Sequence, residues 1–145
     1  MKKPLFIETF ALFFLVGALD RVANTFNLYW SVSEFDSIVH FLGGGAVSLF
    51  FLWFYFYSGV FSPQKRDLRY FIIVSLLGTI FVSTLWEIYE LMLGEARTYR
   101  ETYAFDTTLD FVMDLLGAMA VCLYGYLKEL KLKTLNLKFK LNENE

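Results

Sequence analysis

The chain has 145 residues, of which 57% are hydrophobic, 20% aromatic and 19% charged, with a mean hydropathy of +0.47. Disordered chains show the opposite balance, and ordinary soluble domains carry about 25% charge. The single cysteine, Cys122, excludes an intramolecular disulfide and a multi-cysteine zinc site, and a net charge of -2 gives no basis for nucleic-acid binding.

A membrane-spanning helix needs roughly 20 mainly apolar residues. The first predicted helix covers about 5–29. Its core, Leu5–Leu19, contains Glu8, and it extends through Asp20 to Tyr29 and Trp30, which read as interfacial anchors. Lys2-Lys3 imitates a secretory leader, but the core is bulky and no small-x-small cleavage site follows, so the segment is read as a helix. The second helix, about 37–61, includes Val39–Phe61, which holds no acid, Lys or Arg. Ser62-Pro63-Gln64 marks the turn after it. The third, about 69–93, is apolar until Glu87 and Glu90. Gly94–Phe105 is the longest non-apolar connection on its side. The fourth, about 107–127, begins with Asp110 and Asp114, and Asp106 reads as its N-cap. From Lys128 to the end, Leu or Phe alternates with Lys, either as a basic tail on anionic lipid or as a frayed solvated end. The predicted fold is all-α: a polytopic membrane protein with one transmembrane domain over 1–127, a four-helix bundle, and a basic cytoplasmic tail over 128–145.

Lys and Arg set the orientation. The N-terminus, the Lys65–Arg69 loop and the tail together carry ten of them, against Arg21, Arg97 and Arg100 on the other side. Both termini are therefore expected in the cytoplasm of a cell, most simply a prokaryotic one.

Ionisable residues at membrane depth are costly and mark partners or function. Asp20, Asn24 and Asn27 share a face, Asp36 and His40 are spaced i, i+4, Glu87 and Glu90 i, i+3, and Asp106, Asp110 and Asp114 i, i+4, i+8. All fall in the outer half under this orientation. That half holds ten acids against three Arg, an excess that calls for protons, water or a bound cation. The predicted site is an outward-facing acidic pocket containing the only histidine. Asp36, His40, Asp110 and Asp114 are its candidate metal ligands. An oxygen-rich set favours Mg, Mn or Ca, and one His also admits Zn. Glu87 or Glu90 is the candidate general base, and Arg97 and Arg100 are candidates to grip a phosphate. The substrate class would be a lipid headgroup or a lipid-linked envelope precursor. The alternative is a non-catalytic cluster that binds a cation or only holds the helices together.

Residues 35–44 also echo residues 109–118: Asp, a second ligand-type residue at i+4, Leu at i+6, then two small residues. This suggests a parallel 2+2 repeat of helix hairpins, with Gly43, Gly44, Gly45, Gly117 and Ala118 allowing close approach.

Taken in order, Asp36-x-x-x-His40-Phe41, Glu87-x-x-Glu90 and Asp106-Thr107-x-x-Asp110-x-x-x-Asp114-Leu-Leu-Gly117-Ala118 resemble the YjdF-type inner-membrane proteins and, more loosely, the VanZ-like membrane proteins. The VanZ-like resemblance implies a place in the cell envelope, in connection with glycopeptide resistance. Neither resemblance implies a defined reaction.

Overall fold

The computed structural model describes residues 5–32, 34–63, 65–93 and 103–142. The regular elements of the described residues are all helices: α1 (Phe6–Phe26), α2 (Leu28–Ser31), α3 (Phe35–Tyr57), α4 (Leu68–Leu93) and α5 (Tyr103–Asn142). Three of these helices are long and apolar enough to cross a membrane: Phe35–Tyr57, Leu68–Met92 and Tyr103–Phe139. Four were expected. The remaining one, α1, carries Glu8, Asp20 and Arg21 within its 21 residues.

Three boundaries of the first and last helices differ from the sequence reading. The first helix does not run unbroken to Tyr29. It stops at Asn27, which takes a left-handed conformation (φ 54°, ψ 39°) and donates its N–H to the Ala23 carbonyl. Asn tolerates that conformation better than most residues. The single turn α2 follows. The last helix starts at Tyr103, so Asp106 lies in its first turn and is not its N-cap. An acid there still favours the helix dipole. Nor does this helix end at Leu127, because the basic segment continues it to Asn142. Asp67 is a cap that the sequence reading passed over: its Oδ1 accepts from the Tyr70 N–H at 3.1 Å, at the start of α4.

The core is a three-helix arrangement. α3 and α5 run parallel, their contacts advancing together from His40–Asp114 through Ser48–Ala118 to Tyr57–Glu129. α4 runs antiparallel to both, with Phe71 stacked on Phe56 at 4.4 Å, Ser75 at Ser48 and Ser83 at Asp114. Small residues set how closely α3 and α5 approach. A methyl group on Gly44 would lie 2.5 Å from the Asp114 Cα, and one on Gly117 would lie 2.8 Å from the Phe41 carbonyl carbon. Glycine at these two positions brings the backbones together, as small residues do between helices in membranes.

α1 packs on α3 through Phe6–Trp53 (5.2 Å) and Phe13–Phe50 (6.3 Å), and Glu8 pairs with Lys128 of α5. Most of its surface is open: Phe14 is 80% exposed, and only Thr9 and Ala23 of the helix are buried. Leu77, on α4, is 64% exposed. Large apolar side chains on the outside are what a lipid-facing surface requires.

The end of the bundle away from His40 is closed by an apolar cluster of Leu5, Leu49, Leu52, Phe56, Phe71 and Cys122. Beyond it, Glu129 is buried, accepts from Tyr57 OH at 2.7 Å and lies 3.8 Å from Arg66 Nη1 and 3.7 Å from Lys133 Nζ. Arg66 also donates to the Phe56 carbonyl at 2.7 Å, and Lys133 to the Arg66 carbonyl at 2.9 Å. These bonds tie the α3–α4 connection to the helical extension of α5.

Candidate functional site

The site lies where α3 and α5 begin and α4 ends. The i, i+4 spacing puts Asp36 and His40 on one face of α3, and Asp110 and Asp114 on one face of α5. The glycine-mediated approach one turn further on turns those faces toward each other. His40, Asp110 and Asp114 are buried, whereas the Asp36 side chain is 40% exposed.

His40 is the hub. Its Nδ1 lies 3.4 Å from Asp114 Oδ1. Its Nε2 lies 3.8 Å from Asp36 Oδ1 and 3.7 Å from Asp110 Oδ1. One ligand atom each from Asp36, His40 and Asp110 lie within 4.8 Å of one another. Asp114 stands apart from this set. Its Oδ2 accepts a 2.5 Å hydrogen bond from Ser83, and its Oδ1 faces the other ring nitrogen of His40. Both of its oxygens are therefore engaged away from the Asp36–Asp110 side.

Glu87, also buried, closes the α4 side. Its Oε2 accepts from Thr107 at 2.7 Å and faces Tyr103 OH at 3.5 Å. Glu90 is drawn along its own helix, where Oε1 accepts from Trp86 Nε1 at 2.7 Å. Arg97 and Arg100 lie outside the described residues. Asp20 forms a separate group in which Oδ1 accepts from Tyr29 OH at 2.9 Å and from Asn24 at 3.0 Å. Burial, then this bond to Asp20, raises the Tyr29 hydroxyl above its ordinary pKa.

The sequence reading missed the hydroxyl groups. Ser75, Thr79, Ser83 and Glu87 are spaced i, i+4, i+8 and i+12, and all four are buried. They form the polar stripe that α4 turns toward α3 and α5. The regular spacing was the available signal, obscured by the weakness of Ser and Thr as markers in an apolar helix.

Chemically, a ring nitrogen and two carboxylates face a common point, and a third carboxylate sits behind the ring. Separations of 3.7–3.8 Å are too long for direct hydrogen bonds. They suit two ligands that share an ion at about 2.0–2.2 Å from each.

An all-helical chain with three apolar helices of membrane-spanning length and a His/Asp cluster at one end has the character of an integral membrane protein. Residues 3–130 match the family model described as "Predicted membrane protein (DUF2238)", and the chain belongs to that family. The match supports the YjdF-type resemblance and does not bear on the VanZ-like one. No curated protein and no solved structure matches the chain.

Proposed function

We propose that this is a divalent-cation-binding membrane protein whose ion is held by Asp36, His40 and Asp110. The observation that carries the reading is the geometry around His40. One nitrogen faces Asp114 while the other faces two carboxylate oxygens at 3.7 and 3.8 Å. A ligating histidine characteristically gives its second nitrogen to a carboxylate, which fixes the ring and raises its basicity. Asp114 takes that role, and Ser83 fixes Asp114 in turn. Mg, Mn and Ca suit the two carboxylates, and Zn suits the histidine.

The partly exposed Asp36 leaves the ion open on one side to a further ligand. In the proposed orientation both termini are cytoplasmic, α1 is a fourth crossing, and the site opens to the outer leaflet of the cell membrane. The ligand class that fits is a phosphate-bearing lipid headgroup or lipid-linked envelope precursor, with Arg97 and Arg100 as candidate phosphate contacts and Glu87 or Glu90 as the general base if the headgroup is turned over. Parallel α3 and α5, which bring His40 to its counterpart Asp114 in the sequence echo, support the 2+2 repeat.

A second reading draws on the Ser83–Asp114 and Thr107–Glu87 hydrogen bonds: the polar cluster only fastens the helices. Asp110→Asn separates the two. If an ion is held, chelator lowers the unfolding temperature of the purified protein, one metal restores it, and Asp110→Asn abolishes the response. If the cluster is only a fastening, the substitution relieves like-charge repulsion, so the variant is as stable or more stable, and chelator has no effect.

A further inference from the structure

The stripe on α4 contains one hydroxyl that behaves unlike the others. Thr9, Thr25, Thr84, Thr108 and Thr134 each donate to the carbonyl four residues earlier in their helix. Thr79 does not. Its residue is fully buried, and its Oγ1 has no hydrogen-bond partner in the protein. A buried hydroxyl in apolar surroundings is costly unless it is bonded, and a threonine inside a helix can turn its hydroxyl to its own i−4 carbonyl by choice of rotamer. Thr79 forgoes that bond.

Its neighbours along the stripe show what it can bond to instead. Four residues toward the site is Ser83, which donates to Asp114 at 2.5 Å. Four residues the other way is Ser75, whose Oγ lies 3.0 Å from Ser48 Oγ, itself 3.2 Å from the Ala118 carbonyl oxygen. Four residues of helix advance about 6 Å. That is too far for one hydrogen bond, but two O–H···O bonds in series span about 5.6 Å. An interval of that length is the span of one bridging water, which would have at each step the two polar partners that a buried water needs.

We propose that Thr79 is the centre of an internal water-binding column: one water joins it to Ser83 and Asp114, and another joins it to Ser75 and Ser48. The His40 site is then the mouth of a hydrated cleft that reaches the middle of the α3–α4–α5 bundle. The cleft is closed beyond Ser75 by Leu52, Cys122 and the Phe56–Phe71 stack. Water and protons enter from one side of the membrane only. The column does not depend on whether a cation is held at the mouth.

Two measurements on the full chain test it. Thr79→Val keeps the shape and removes the hydroxyl. It should lower the unfolding temperature in detergent by a few degrees, while Thr79→Ser leaves it unchanged. A Thr79→Val protein as stable as the parent, or more so, means a dry orphan hydroxyl and overturns the proposal. The second measurement uses Thr79→Cys in a Cys122→Ser background. Silver ion, small enough to follow single-file water, is added to sealed vesicles, and protection of the thiol is read as failure to alkylate after denaturation. Protection should be an order of magnitude faster than at Leu49→Cys, which lies in the apolar cluster. Equal rates overturn the proposal. If the cysteine variant does not fold, the Val and Ser pair decides.

Discussion

Adding one methyl group where α3 crosses α5 should cause a loss out of proportion to its size. In Gly44→Ala the new methyl runs into the Asp114 carbonyl oxygen and starts 2.5 Å from the Asp114 Cα, and ordinary contact begins at 3.4 Å, so the backbones must part by at least about 0.9 Å. Applied to the neighbouring pair, that displacement carries His40 Nδ1 and Asp114 Oδ1 from 3.4 Å to about 4.3 Å or more, beyond hydrogen-bond reach. Overpacking of this kind costs about 1–3 kcal/mol. Gly43→Ala is the matched control, because nothing lies within 4 Å of its added methyl. There the helix gains up to about 1 kcal/mol from exchanging Gly for Ala. Gly44→Ala makes the same exchange, so that gain cancels and the two variants should differ by the overpacking cost, about 1–3 kcal/mol, at roughly 3–4 °C of melting temperature per kcal/mol for a chain of this size. The assay is thermal unfolding in detergent, followed by tryptophan fluorescence, with Gly117→Ala expected to behave like Gly44→Ala. If Gly44→Ala and Gly43→Ala melt together, the close crossing is not what aligns the site.

The remaining expectations are more local. Tyr57→Phe removes the 2.7 Å bond to the buried Glu129 and should cost about 1–3 kcal/mol. Glu129→Ala should be worse, because Arg66 and Lys133 lose their carboxylate, and limited proteolysis should then cut within residues 58–67. Asp114→Ala should weaken cation binding by about 10–100-fold, as expected for a group that acts through a ligating histidine, whereas Asp110→Ala should abolish it; equal losses would make Asp114 a direct ligand. A cysteine at Glu95 in a Cys122→Ser background should be labelled from outside intact cells by an impermeant reagent, and labelling only after permeabilisation would reverse the orientation.

Much of this architecture was written in the apolar periodicity. Hydrophobic runs of spanning length located α3, α4 and most of α5, and the i, i+4 pairs located Asp36 with His40 and Asp110 with Asp114. Helix ends were less legible because they depend on single residues. Asn27 ends α1 by taking a left-handed conformation that composition does not announce. The helix after Lys128 hides behind an alternating Leu/Lys pattern that reads as a basic tail on lipid or a frayed end; its anchor is Glu129, held by Tyr57 and Arg66 from elsewhere in the chain and by Lys133 one turn on. The separate roles of the four site residues were also out of reach. Spacing alone cannot distinguish Asp114, behind the imidazole, from Asp110, in front of it. That distinction comes from the crossing at Gly44 and Gly117 and from Ser83, three helices meeting at one histidine.

The central claim is that the cluster at the start of α3 and α5 holds a divalent cation. Equilibrium binding of Mn(II) to the purified protein, read by electron paramagnetic resonance of the free ion, tests it most directly. The account predicts one saturable site per chain, lost in the Asp36→Asn/Asp110→Asn variant and kept in Asp20→Asn, whose carboxylate belongs to a separate group with Asn24 and Tyr29. No saturable binding to the parent protein, or equal binding to the parent and the double variant, would contradict it.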